Sequence, residues 1–127
     1  MAYIDGFVIA VPKENKQKFI DHANSGDSVF IELGATRILE CWEDDVSDGK
    51  VTDFRRAVQA TADEDVVFSW IEWPDKTVRD AAMAKMMGWM ENPETADPRM
   101  DPAKNPMPFD GKRMIYGGFA PVVTLGG

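Results

Sequence analysis

An α+β fold is predicted for this chain of 127 residues, a four-stranded antiparallel sheet with two helices on one face. Three observations predict it. Four runs rich in β-branched and aromatic residues read as strands. Two stretches carry apolar residues at spacings of three and four, the period of one helix face. Their order is β-α-β-β-α-β, in a chain whose length suits a single domain, residues 1–127, with one core. Two split βαβ halves in that order make the ferredoxin-like βαββαβ sandwich.

Each element has its own signal. Tyr3–Val11 reads YIDGFVIAV and is stopped by Pro12, which cannot donate to a ladder. From Lys13 the period changes, and Phe19, Ala23, Gly26, Phe30 and Leu33 line one helix face up to the expected left-handed cap at Gly34. Gly26 in mid-helix calls for a kink or a close approach of the helix to the sheet. Ala35–Trp42 reads ATRILECW and runs into the acidic turn Glu43–Asp45. Val46–Asp65 is mostly polar, with Asp48-Gly49 as a turn signal and Thr52–Gln59 too short to assign. Val66–Trp73, VVFSWIEW, is the most apolar strand; Pro74 breaks it and Asp75 or Thr77 can cap the next helix. Val78, Ala82, Met86 and Trp89 then recur with helical spacing to about Met90. Asn92–Pro108 holds five prolines and no period, and is expected as a long functional loop. The last strand is expected over Lys112–Leu125, with Gly117-Gly118 marking a bulge or close backbone approach and Pro121 a sheet edge.

A strand with one wet face alternates apolar and polar residues. Tyr3–Val11 and Val66–Trp73, taken here as outer strands, do not: both of their faces carry large apolar groups. Two helices cover only one face, so the other is expected to be buried by a second copy. A homodimer through the sheet faces, a dimeric α+β barrel, is the expected assembly.

Composition narrows the chemistry. With 22 acidic against 14 basic residues and a net charge of −8, a nucleic-acid partner is disfavoured. No apolar stretch is long enough to span a membrane. One cysteine rules out an internal disulfide and points to the cytoplasm; one histidine leaves no His-rich metal site. No phosphate loop, HExxH or GxSxG pattern occurs. No metal and no cofactor are expected.

The segments YIDGFVIAVP, GATRILECWEDD, VVFSWIEWPDKTVRDAA and MPFDGKRMIYGGF resemble the YbaA-like family of uncharacterised bacterial proteins, within the dimeric α+β-barrel superfamily. The resemblance runs in order from Tyr3 to about Val123. It implies a ferredoxin-like subunit that pairs through its sheet, and brings no established activity or catalytic residues. Related barrels in that superfamily include haem-degrading and antibiotic-biosynthesis monooxygenases. Some relatives carry a label connecting them with signal-recognition-particle RNA, which the acidic composition does not support.

The candidate ligand-binding residues are Asp5, His22, Trp70, Arg113 and Tyr116. His22 is a candidate general base or haem ligand on the first helix, set against an idle, partly exposed histidine. Asp5 interrupts an apolar strand, either as a functional carboxylate, as the partner of an arginine or lysine, or exposed at a strand end. Trp70 and Trp73 face opposite sides of their strand, one towards the helices and one towards the partner. Lys112-Arg113 either attracts an anion or pins the proline-rich loop to the acidic turns. Cys41 sits among carboxylates, which disfavour a reactive thiolate. Met83, Met86, Met87 and Met90 read as core packing, with a pocket wall as the other reading. No paired carboxylate is visible at a helpful spacing. Two functions follow. One is a small apolar or anionic ligand in the helix–sheet cleft, with monooxygenase-like chemistry by fold analogy. The other is a non-catalytic dimeric interaction module. A cavity of roughly 300 Å³ or more favours the first, and an apolar patch around Asn92–Pro108 the second.

Overall fold

A computed structural model describes residues 1–126. Strand β1 spans Tyr3–Pro12, helix α1 Lys16–Glu32 after a 3₁₀ turn at Lys13–Asn15, and β2 Arg37–Trp42. A four-residue helix α2, Phe54–Ala57, precedes β3, Glu64–Trp73; α3 spans Lys76–Glu91 and β4 Ile115–Phe119. The strands form one antiparallel sheet in the order β2-β3-β1-β4. This is the predicted ferredoxin-like α+β arrangement. The two most apolar strands, β1 and β3, are central and not outer; helices cover one of their faces and the segment carrying α2 covers part of the other, which is why both faces carry apolar groups.

Period-two alternation sorts β3. Val67, Ser69, Ile71 and Trp73 face the helices and are buried, while Phe68 is 44% exposed on the other side. Val67 packs with Ile9, Val11 and Phe19 of α1. Ile71 and Trp73 pack with Ala35 and with Ala82 of α3. Trp73 is fully buried and meets Phe30 edge-on; burying a side chain of this size contributes roughly 1.5–3 kcal/mol or more. Asp75 caps α3 by accepting from the Val78 N–H at 2.8 Å. Gly34 ends α1 at φ +114°, the conformation that favours glycine.

The second sheet face is only partly open. The segment carrying α2 folds under one end of it, where Val58 is buried with Ala10 and Val66 and Phe54 meets Phe68 edge-on. The chain itself therefore covers a portion of the face expected to need a partner. The remainder is a shallow apolar groove of about 740 Å³ along Ile4, Val8, Phe68, Trp70, Ile115 and Phe119.

Three local expectations change. The last strand stops at Phe119 and starts only at Ile115. Before it, residues 110–113 form a turn closed by the Arg113 N–H on the Asp110 carbonyl; beyond it, Pro121 has no N–H to offer. Its glycines carry no bulge, since Gly117 and Gly118 pair regularly with Gly6 and Asp5. A Cβ on Gly118 would collide with the phenol of Tyr3, so close approach is the reason for glycine there. Helix α1 runs unbroken past Gly26, and the segment that approaches it is the proline-rich loop at Arg99, Met100 and Asn105, not the sheet. Of the methionines on α3, Met83 packs on the core, while Met87 and Met90 are 62% and 80% exposed and are not core packing.

Candidate functional site

One row of the sheet has a hole in it. The register places Ser69 of β3 between Phe7 of β1 and Glu40 of β2. All three lie on the helix side, and Ser69 is the smallest residue in a line otherwise filled by Val67, Ile71 and Trp73. Above it α1 presents Ala23 and Gly26, which are equally small. Small residues on both layers leave a cavity of about 180 Å³. Phe7, Ile9, Phe19, Phe30, Ile71 and Met114 wall it, and Asp27, Glu40, His22 and Ser69 are its polar groups.

The proline-rich segment is the roof. Short 3₁₀ turns at Pro93–Thr95 and Pro98–Met100 shape it, and Met100, Pro102, Asn105, Met107 and Phe109 reach the cavity. Polar tethers hold it on α1. Arg99 grips Glu32 through two bonds of 2.6 and 3.0 Å while also holding Asp97. Asn105 pairs with the His22 ring at Nδ1, 2.9 Å away. The Asn15 amide donates to the Pro108 carbonyl at 2.9 Å. Phe109 packs on both Phe19 and His22.

The carboxyls of Asp27 and Glu40 meet at this cavity, one from the helix and one from the edge strand. Burial and the neighbouring Asp27 charge push the Glu40 carboxyl up to about 8, and the Ser69 hydroxyl beside it works in the opposite direction. Burial also raises Asp27, partly offset by its hydrogen bond to Glu40 and by attraction to His22. Glu40 Oε2 is fully buried and, as a carboxylate oxygen, has no donor to satisfy it. Both shifts run upward, so burial favours keeping a proton on this pair. The same two side chains also line a second, open groove between α1 and β2, with Lys16, Asn24, Ser28 and Trp42.

The five residues singled out from sequence do not converge. His22 alone lines the cavity, and it is not idle, because Asn105 engages its ring. Asp5 is buried on the helix face and fully committed: it accepts from the Trp73 indole at 2.9 Å and from Arg79 at 2.8 and 3.1 Å. Arg113 pins the loop instead of meeting an anion, through Glu64 at 2.6 Å and Asp110 at 3.0 Å. That ion pair holds Glu64 down to about 2. Trp70 lies along the open groove of the second face, whereas Tyr116 pairs with Phe7 and stacks on its ring on the helix side. Cys41 is exposed on β2. Among the described residues no cluster of three or more His, Cys, Asp or Glu side chains is placed to hold a metal ion, and no helix is long and apolar enough to cross a membrane.

Sequence reasoning missed Asp27, Glu40 and Ser69. The expectation that no carboxylates pair is corrected by the fold, which joins two acids from separate elements. A signal existed: Asp27 falls four residues after Ala23 on the core-facing arc, and Glu40 alternates with Ile38 and Trp42. Polar residues in apolar positions are informative.

Comparison with known proteins supports the architecture. A family profile described as "Protein of unknown function (DUF1428)" matches residues 2–111. The uncharacterized protein YbaA of Escherichia coli strain K12 is 55% identical over 123 residues, covering 97% of this chain and 98% of YbaA. YbaA of Shigella flexneri matches to the same extent. Among solved structures, a dimeric ferredoxin-like protein from an uncultured marine organism aligns with a TM-score of 0.53, over 99% of both chains at 11% identity. At that identity the likeness speaks for the fold alone.

Proposed function

The chain belongs to the DUF1428 family of proteins of unknown function, and from that premise we propose that it binds a small, mostly apolar molecule in the cavity beneath α1, as a homodimer joined through its open sheet face. The cavity carries this reading in a narrower form, because it falls short of the roughly 300 Å³ expected for a drug-sized ligand. Its volume of about 180 Å³ is smaller than the pockets that take drug-sized ligands but enough for a single ring, since an apolar protein cavity of about 150 Å³ accepts benzene. Its walls reward apolar surface, while the acid pair and His22 offer a neutral polar head its hydrogen bonds. An anionic ligand is the poorer fit. The polar end of the cavity is acidic, and Arg99, the guanidinium at its rim, is already taken by Glu32 and Asp97. Monooxygenase-like chemistry remains an analogy of fold.

The dimer rests on the second face. Phe68, Ile115 and Phe119 are 44%, 46% and 62% exposed side by side on one strand layer, an apolar surface that a second copy buries against itself. The structurally similar marine protein is described as dimeric. A non-catalytic recruiting module is less favoured, because the Asn92–Pro108 segment is tethered to α1 over the cavity, although Met107 remains 51% exposed.

Native mass spectrometry tests both parts together. A dimer mass is expected, with a small adduct retained under gentle desolvation and lost in Ser69→Leu, which fills the cavity. A monomer that stays monomeric at micromolar concentration removes the assembly, and a cavity that takes up no benzene-sized probe by ligand-observed NMR removes the ligand reading.

A further inference from the structure

We infer that Asp27 and Glu40 are the acid and base of a proton-transfer site acting on a small enolisable carbonyl compound, moving a proton between the carbon beside the carbonyl and the carbonyl oxygen. This rests on the reading of the cavity as a ligand site.

The geometry limits the chemistry to protons. The guanidinium at the cavity rim is engaged by two carboxylates. The one cysteine is exposed on β2 and is not among the lining residues. The Ser69 hydroxyl lines the cavity and is engaged by the Glu40 carboxyl. What the cavity presents is two neighbouring carboxyls from different elements, with the His22 ring held by Asn105, one fully buried carboxyl oxygen lacking a partner, and apolar walls. An acid and its conjugate base side by side can take a proton from one atom of a ligand and give one to another. Their position adds a second requirement of catalysis, because the same two carboxyls also line the groove between α1 and β2. Protons exchanged with the ligand can be replaced from water in that groove.

The step balances without a co-reactant. The carboxylate of the pair removes the proton from the carbon next to the carbonyl, and the C–H electron pair becomes the C=C bond of the enol. The carbonyl π pair takes the proton released by the protonated carboxyl. Acid and carboxylate have exchanged roles and the net charge of the pair is unchanged. Because the guanidinium lining the cavity is engaged by Glu32 and Asp97, both transfers accompany each other and a neutral enol results. The reverse step on either face returns the ketone with a solvent-derived proton. His22, held by Asn105 on α1, and Arg99 in the roof are the other charged or titratable groups facing the pair within the cavity, and Lys16 faces it from the groove.

Cyclohexanone is the probe. Its single ring matches the cavity, and its α-protons exchange measurably in heavy water. The purified protein is expected to speed deuterium uptake about 10²-fold or more over buffer, the size of a general acid–base contribution. The pH profile is expected to be bell-shaped, because only the singly protonated pair is active. Asp27→Asn and Glu40→Gln, nearly isosteric, are expected to bring exchange close to the buffer rate while saturation-transfer NMR still detects bound cyclohexanone. Binding without exchange, exchange that survives Glu40→Gln, or a flat pH profile in the unaltered protein overturns the proton-transfer assignment and leaves the binding site standing. Absence of cyclohexanone binding in the unaltered protein overturns both.

Discussion

The Trp73 indole N–H donates to the Asp5 carboxylate at 2.9 Å, in a place where neither side chain reaches water. Arg79 closes the other side of the carboxylate and lies over the Tyr3 ring. A carboxylate inside an apolar strand is thus a structural anchor joining β1, β3 and α3. Asp5→Ala leaves the Trp73 donor buried and unpaired and the Arg79 charge without its partner, at an expected cost of about 3 kcal/mol. Asp5→Asn keeps an acceptor for Trp73 and is expected to cost less. Urea unfolding of the two variants measures the difference, and equal stabilities exclude the anchoring role.

Glu40 makes stability depend on pH in an unusual direction for a carboxylate. Its ordinary value is 4.5, and in the folded protein it lies at about 8. The native state therefore binds the proton more tightly than the unfolded chain. That contribution is complete below the unfolded value and is lost as pH rises through 8. Thermal unfolding followed from pH 5 to pH 9 is expected to show stability declining across this window. Glu40→Gln, which carries no proton to lose, flattens the decline.

Arg99 clamps the roof to α1 through an exposed ion pair with Glu32. Exposed pairs contribute about 1 kcal/mol or less to global stability, so Arg99→Ala is expected to leave the unfolding midpoint nearly unchanged. The local effect is larger. Amide exchange in residues 97–105 accelerates, because that segment loses its grip on Glu32 while the core is untouched. Unchanged exchange there places the burden of holding the roof on Asn105 and Phe109 alone.

Gly118→Ala tests the close approach of Tyr3 to β4. The added methyl meets the phenol ring, and overpacking of this kind costs about 1–3 kcal/mol. Gly117→Ala, whose Cβ sits at ordinary contact distance from Phe119, is the matched control and is expected to be better tolerated. Equal losses in denaturant midpoint show that backbone propensity, and not Tyr3, sets the preference for glycine.

Arg113 and Glu64 illustrate a site residue read correctly by its modest alternative. The sequence pairs a basic doublet with acidic turns, and opposite charges in one small domain find each other, so the tether to Glu64 was legible. His22 was legible only as a titratable group in the helix, since its partner Asn105 comes from a loop without periodicity. Asp27 and Glu40 were hidden for a related reason. Periodicity tells which side of an element a residue faces, but not which residue of another element stands opposite it.

Element order, the core faces of α1 and β3 and the surplus of apolar groups on two strands were determined by sequence alone, because hydrophobic period and chain breakers act locally. Tertiary structure decided which strands lie at the centre, how much of the second face α2 covers, and that Ser69, Ala23 and Gly26 stack to leave a void. It also brought two acids from separate elements together at that void. Register between strands and the height of a helix above a sheet are set by packing over the whole fold, and the cavity with its pair of acids exists only once both are in place.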